Sequence, residues 1–256
     1  MSFDKQLIEL REAVKGVERF NPANIALLEK CIDFMIKEQK YDREIVLNLL
    51  QLYQLNPNRY NKDYECLALL KALSQMPKKD FVLAKYLMIP AHRVKPEDEK
   101  TSPPNINLES VQMVINLGKV LEGNDFATFW KLVNEEYQPS GEEDEPFPEP
   151  KCVKELIARC PGFIDNIKLF ASESITNTFE TVDTDILKRL LNANDAEIKR
   201  FATKFDWNED AENGGTFLIK KHSVYTKQRV FEEKIGLPEV SDVLARLPNA
   251  MKGFSK

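Results

Sequence analysis

A mainly α-helical fold, in which stacked helical hairpins precede a smaller helix-and-hairpin unit, is predicted by three observations. Apolar residues recur at the three- and four-residue spacing of a helix face through nearly the whole chain. Helix-start signals in the first third return at a regular step, at Asn21, Asp42, Asn61 and Asp80, separated by 21, 19 and 19 residues. Late in the chain one stretch, "WNEDAENGGTFLIKK" (207–221), reads instead as a glycine-centred turn running into a short strand.

The bulk numbers set the frame. With 256 residues there is room for two ordinary domains, each able to bury a core. A hydrophobic fraction of 43% and a charged fraction of 30% are those of a soluble globular protein. No apolar run approaches the roughly 18 to 20 residues of a membrane span. The opening "MSFDKQLIELREAVKG" lacks the basic and apolar regions of a secretory signal, so a cytoplasmic location is expected. Cys31, Cys66, Cys152 and Cys160 form no C-x-x-C pair and are expected as thiols acting as small hydrophobes. The net charge of −5 is local: residues 138–150 hold five acids and no base, whereas residues 1–137 net −1 and residues 151–256 net +1. That proline-containing segment reads as a solvated acidic linker between two nearly neutral parts.

The first part, residues 1–137, reads as a helical-repeat domain. Asn21-Pro22 supplies a cap acceptor and a proline at the first helical position, and Ile25, Leu28, Ile32 and Ile36 then share a face. Asp42 caps a second helix striped by Ile45, Leu49, Leu52 and Tyr53. Asn61 precedes a third, with Tyr64, Leu67 and Leu70, and Asp80 opens "FVLAKYLM". A helix pair therefore repeats about every 40 residues, near the period of HEAT-like arrays, and a right-angled stack of hairpins is expected. Residues 90–107 form a proline-rich loop. Helices resume with Val111, Val114, Ile115 and Leu121, where Gly123 is expected to supply a left-handed cap and Asn124 to open the next helix. That helix carries Phe126, Phe129, Trp130, Val133 and Tyr137 on one face, a density that marks core rather than a ligand groove.

The second part, residues 151–236, holds a helix with Phe163, Ile167 and Phe170. Two shorter helices follow, with Ile186, Leu187, Leu190 and Leu191, and with Ile198, Phe201, Ala202 and Phe205. Asn194 and Glu197 form a capping-box pattern. Two short helices joined by a tight turn and followed by a hairpin describe a winged helix. Beyond it, in residues 237–256, Val240, Val243, Leu244 and Leu247 make an apolar face on a short helix, a candidate partner interface that could equally fold back on its own domain.

The functional candidates follow from that fold. A winged helix can meet nucleic acid through the second helix of its pair, whose outward face presents Lys199, Arg200 and Lys204, with Lys220, Lys221, Lys227 and Arg229 after the hairpin. Against this, the part is nearly neutral, and Glu209, Asp210 and Glu212 crowd the wing. RNA contact thus stands as the alternative to protein contact. His92 and His222 have no nucleophile at a catalytic spacing. Asp206, Asn208 and Asp210 imitate a calcium loop, but Ala211 and Phe217 occupy its required glycine and glutamate positions. With no phosphate-cradling loop, metal-ligand pattern or dinucleotide fingerprint, the expectation is a non-enzyme with no cofactor, no metal and no small-molecule substrate.

Several stretches then acquire meaning together: "RFNPANIALLEKCI", "LLQLYQLNP", "LLKALSQMPKKDFVLAKYLM", "LGKVLEGNDFATFWKLV", "PGFIDNIKLFASESI" and "FATKFDWNEDAENGGTFLI". In this order they resemble the subunit k family of eukaryotic translation initiation factor 3, over most of the chain. The proline loop at 90–107 and the acidic segment at 138–150 are longer than that family's pattern. The resemblance implies a HEAT-like domain followed by a winged helix, related to the PCI modules of the proteasome lid, the COP9 signalosome and this factor. It implies a scaffold subunit joined chiefly to subunit l, in a complex that binds the small ribosomal subunit, with no catalytic motif.

Overall fold

The computed structural model describes residues 16–89, 109–141, 146–147, 149–209, 215–219 and 240–241. The first helices are α1 (Ile25–Lys37), α2 (Arg43–Leu55), α3 (Lys62–Leu73) and α4 (Asp80–Leu87). Their starts follow the side-chain acceptors. Asp42 accepts from the Ile45 amide at 3.2 Å and Asn61 from the Asp63 amide at 3.0 Å. Asn21 accepts from the Ala23 amide, but the turn it opens is the 3-10 segment Pro22–Asn24, which leads into α1. Asp80 is the first residue of α4 rather than its cap. It is buried and pairs with Arg43 Nε at 3.3 Å, so this acid both favours the helix N-terminus and ties α4 to α2.

Each helix packs on the next in sequence and on the next but one: α1 on α2 and α3, α2 on α3 and α4. α3 also meets α5 (Glu109–Glu122). That ladder is what a HEAT-like array requires, since each hairpin buries its apolar face only against its neighbours. The central helix α3 is covered on nearly all sides, and Glu65 and Lys71 are 0% and 2% exposed. Tyr60 Oη donates to Glu65 Oε2 at 2.6 Å, giving the buried carboxylate a partner. Burial pushes the Lys71 ammonium below the usual lysine range.

Between α5 and α6 (Phe126–Val133) the capping roles sit one residue later than expected. Asn124 takes the left-handed conformation, φ +55°, and Asp125 accepts from the Thr128 amide. Asparagine tolerates that conformation better than other side chains, and its use there leaves Asp125 to cap.

The remaining elements are α7 (Pro150–Ala158), α8 (Phe163–Thr178), β1 (Thr181–Asp183), α9 (Thr184–Leu191), α10 (Asp195–Phe205), β2 (Asn208–Glu209) and β3 (Thr216–Leu218). The strands form an antiparallel sheet in the order β1-β3-β2, with Val182 opposite Phe217 and both buried. Helix, strand, two helices and a hairpin in this arrangement are a winged helix. The capping box is present in full, with Asn194 accepting from the Glu197 amide and Glu197 Oε2 from the Asn194 amide. Residues up to Lys220 pack as one compact unit, and residues from Lys221 onward form another.

The acidic segment contains a feature its charge does not signal. Phe147 is 1% exposed, packs edge-on to Tyr137 with ring centroids 5.9 Å apart, and lies beside Pro146, whose carbonyl accepts from Asn116 Nδ2 at 3.0 Å. Cys66 and Cys160 are buried and Cys31 and Cys152 partly so. No described helix is long and apolar enough to cross a membrane.

Candidate functional site

The candidate site is a winged helix fixed against a helical array, with the outer helix of the winged part exposing Lys199, Arg200 and Lys204. The fixing comes from α6. Phe129 and Trp130 are buried, as is Phe126. Phe126 packs edge-on to Phe170 of α8, and the Phe129 ring lies 6.4 Å from that of Phe163. Trp130 donates Nε1–H to the Leu190 carbonyl of α9 at 2.7 Å, which satisfies the indole donor across the seam. Asn192 Nδ2 donates to Asn134 Oδ1 at 3.0 Å, and Arg159 pairs with Asp63 at 2.9 Å. The dense aromatic stripe is therefore core, and specifically the core of the joint.

α10 is the outer helix of the winged part. Ile198 and Ala202 bury its inner face, which turns Lys199, Arg200 and Lys204 outward, all exposed. They lie at i, i+1 and i+5, within one side of the helix. Glu197 does not cancel them fully, because Lys168 of α8 holds it at 3.0 Å. That hydrogen bond, with the capping contact at Asn194, keeps the Glu197 carboxyl below its usual range. Lys188 pairs with Asp195 at 2.8 Å across the α9–α10 turn. Lys204 also lies over the Phe205 ring, 5.9 Å from its centroid.

The hairpin begins where Asp206 ends α10 in the left-handed conformation, φ +59°. Trp207 then turns inward, stacks on Phe205 and donates to Thr176 Oγ1 at 3.0 Å. Asp206 and Asn208 thus serve as helix stop and strand, and Phe217 lies in the core. Glu209 is exposed on β2. Among the described residues no group of three or more His, Cys, Asp or Glu side chains is placed to hold a metal ion.

The structure thus brings Lys199, Arg200 and Lys204 together on one surface. Lys220, Lys221, Lys227, Arg229, Asp210, Glu212, His92 and His222 lie outside the described residues. At the C-terminus Val240 is helical and 42% exposed, while Val243, Leu244 and Leu247 lie outside the described residues. Sequence reasoning missed the edge strand β1. Its signal, the run Thr181-Val182-Asp183 with one inward apolar residue, is too short to read without its partner β3.

Comparison with known proteins gives one consistent answer. The family model described as the CSN8/PSMD8/EIF3K family matches residues 59–144 and 148–227, a span that takes in α3 to β3. The chain is 40% identical over 248 residues to eukaryotic translation initiation factor 3 subunit K of Caenorhabditis elegans, covering 96% of this chain and 98% of that one. It is 30% identical over 235 residues to the subunit K of Bombyx mori, covering 91% and 93%. With the human subunit K it shares 27% identity over 244 residues, covering 95% and 97%. A helical array joined to a winged helix and a match along almost the entire length lead to one assignment: the chain belongs to the CSN8/PSMD8/EIF3K family.

Proposed function

We propose that this chain is a non-catalytic scaffold subunit of the eukaryotic translation initiation factor 3 complex, acting in the cytoplasm through protein–protein contacts during initiation on the small ribosomal subunit. The observation that carries the reading is its full-length similarity to proteins named as subunit K of that factor. The geometry supports it. A winged helix seated on an array by Trp130 and Asn192 presents its surfaces in a fixed relation, as a docking part must. Within the described residues β1 and β2 each pair only with β3, so both outer edges of the sheet offer backbone donors and acceptors to a neighbouring chain. Subunit l is the chief partner in this reading, and the small ribosomal subunit is met through the complex.

The C-terminal helix supplies the anchor. In the sequence Val240, Val243, Leu244 and Leu247 recur at helical spacing, and each such side chain buried in a partner would contribute about 1.5 to 3 kcal/mol before ordering costs. Leu244→Asp is expected to weaken incorporation into the complex and leave the helical circular dichroism of the isolated chain unchanged. Undiminished co-purification of the variant would remove the C-terminal anchor from the account.

The basic face of α10 supports a second reading, a nucleic-acid-binding module. If Lys199, Arg200, Lys204, Lys220 and Lys221 each displace one counterion from single-stranded RNA, affinity falls with a log–log salt slope of about −3.5. Their replacement by glutamine abolishes that slope. Subunit docking through apolar faces is expected to stay nearly constant between low and physiological salt, which separates the readings.

A further inference from the structure

The turns that lead into α2 and α4 meet across a hollow of about 510 Å³ lined by six titratable side chains: Tyr41, Asp42, Arg43, Lys78, Lys79 and Asp80. Its two carboxylates are already committed. Asp42, 2% exposed, caps α2 through the Ile45 amide, and Asp80, 5% exposed, holds Arg43 Nε at 3.3 Å. Two of the cations are not. Lys78 and Lys79 are exposed and carry no ion pair among the described residues. Lys79 also stands at the N-cap of α4, where it offers the first amides of the helix no side-chain acceptor. A hydroxyl completes the set. Tyr41 Oη is buried with no partner at hydrogen-bond distance among the described residues, an arrangement that costs stability unless something else fills it. Burial, and after it the nearby Asp80 carboxylate, push this phenol far above its usual range, so it stays protonated and able to donate.

We propose that this hollow is a binding site for a phosphate monoester, with Lys78 and Lys79 balancing its charge and Tyr41 and Arg43 donating to its oxygens. The charges match. Asp80 neutralises Arg43 and the N-terminus of α2 offsets Asp42, which leaves the two lysines to meet the roughly 1.5 to 2 negative charges that a monoester carries at neutral pH. The donors match as well. A monoester presents three terminal oxygens, enough to occupy two ammonium groups, a guanidinium held in place by Asp80 and a neutral hydroxyl, and the uncapped start of α4 favours an anion beside it. A carboxylate or a phosphodiester brings a single charge and would leave one lysine unbalanced. The recognition is the same whether the phosphate stands on a small metabolite or on a phosphorylated side chain of another protein, and the test separates the two sources.

The test is isothermal titration calorimetry on the full chain at physiological salt, with O-phosphoserine, with a short glycine–alanine peptide that contains phosphoserine, and with the same peptide carrying glutamate in its place. Saturable binding of a phosphorylated probe, about tenfold or more tighter than the glutamate peptide, is expected. Binding of O-phosphoserine assigns the site to the monoester itself, and binding of the phosphopeptide alone assigns it to a phosphorylated side chain. Lys78→Gln with Lys79→Gln is expected to weaken binding about tenfold or more, whereas the same loss of charge at the exposed Lys119 and Lys131 leaves it unchanged. Tyr41→Phe is expected to weaken binding about tenfold while the Tm of the free chain stays the same or rises, because only an unpartnered hydroxyl is removed. Circular dichroism of each variant checks that the fold is intact. Failure of both phosphorylated probes to bind, equal affinity for the glutamate peptide, equal losses from the two lysine pairs, or parent affinity in Tyr41→Phe would overturn the proposal.

Discussion

Trp130→Ala is expected to cost about 3 to 5 kcal/mol of stability, the range for truncating a large buried aromatic. The side chain is 4% exposed, packs edge-on to Phe129 at 4.7 Å, and donates to the Leu190 carbonyl at 2.7 Å. Its removal leaves a cavity at the joint and a backbone acceptor without its donor. Trp130→Phe keeps most of the ring and loses only the hydrogen bond, so about 1 to 2 kcal/mol is expected. Urea denaturation of the two variants gives both numbers. If Trp130→Ala costs less than about 1 kcal/mol, the joint is not where the account puts it.

The second large effect lies inside the array. A Cβ placed on Gly118 of α5 would stand 2.1 Å from Cε1 of Phe81, a ring on α4 that is itself fully buried. Real carbon atoms do not approach so closely, so Gly118→Ala must displace the ring or separate the helices. About 2 to 3 kcal/mol of destabilisation is expected. The cause can be isolated, because Phe81→Leu removes the atoms that clash. In a double-mutant cycle the two changes together are expected to cost at least about 1 kcal/mol less than their sum. Simple additivity would show that the close approach is not the reason for glycine at this position.

The helix starts were legible because they depend on local chemistry: Asp42, Asn61 and Asn194 each accept from an amide two or three residues ahead, and an acceptor at that spacing is visible in a string of letters. The apolar stripes were legible for the same reason, although Met35, not Ile36, completes the buried face of α1, Tyr64 and Leu67 are only partly buried on α3, and Ile186 of α9 is exposed. What stayed hidden depends on distant partners. β1 is three residues long and exists because β3 lies beside it. Phe147 sits among acids and prolines, and only Tyr137, ten residues earlier, shows why it is buried. The exchange of roles between Gly123, Asn124 and Asp125 was hidden too, since three adjacent residues could each end or begin a helix.

The same division holds at the candidate site. Lys199, Arg200 and Lys204 could be placed on an outer face from helical periodicity alone, because Ile198 and Ala202 fix which side is inner. The dense aromatic stripe of α6 could be read as core, but not as the joint, because its partners Phe163, Phe170 and Leu190 lie 30 to 60 residues away. Function followed neither from the stripe nor from the cations taken singly. The family, and with it the proposed function, rests on a match that runs almost end to end.

The most direct test of the central claim is affinity capture of the tagged full chain from cytoplasmic extract treated with nuclease, with the bound proteins identified and quantified by mass spectrometry. The account predicts the other subunits of translation initiation factor 3, with subunit l in an amount equal to the bait and unaffected by the nuclease. Capture that lacks those subunits, or that loses them when RNA is digested, would contradict it.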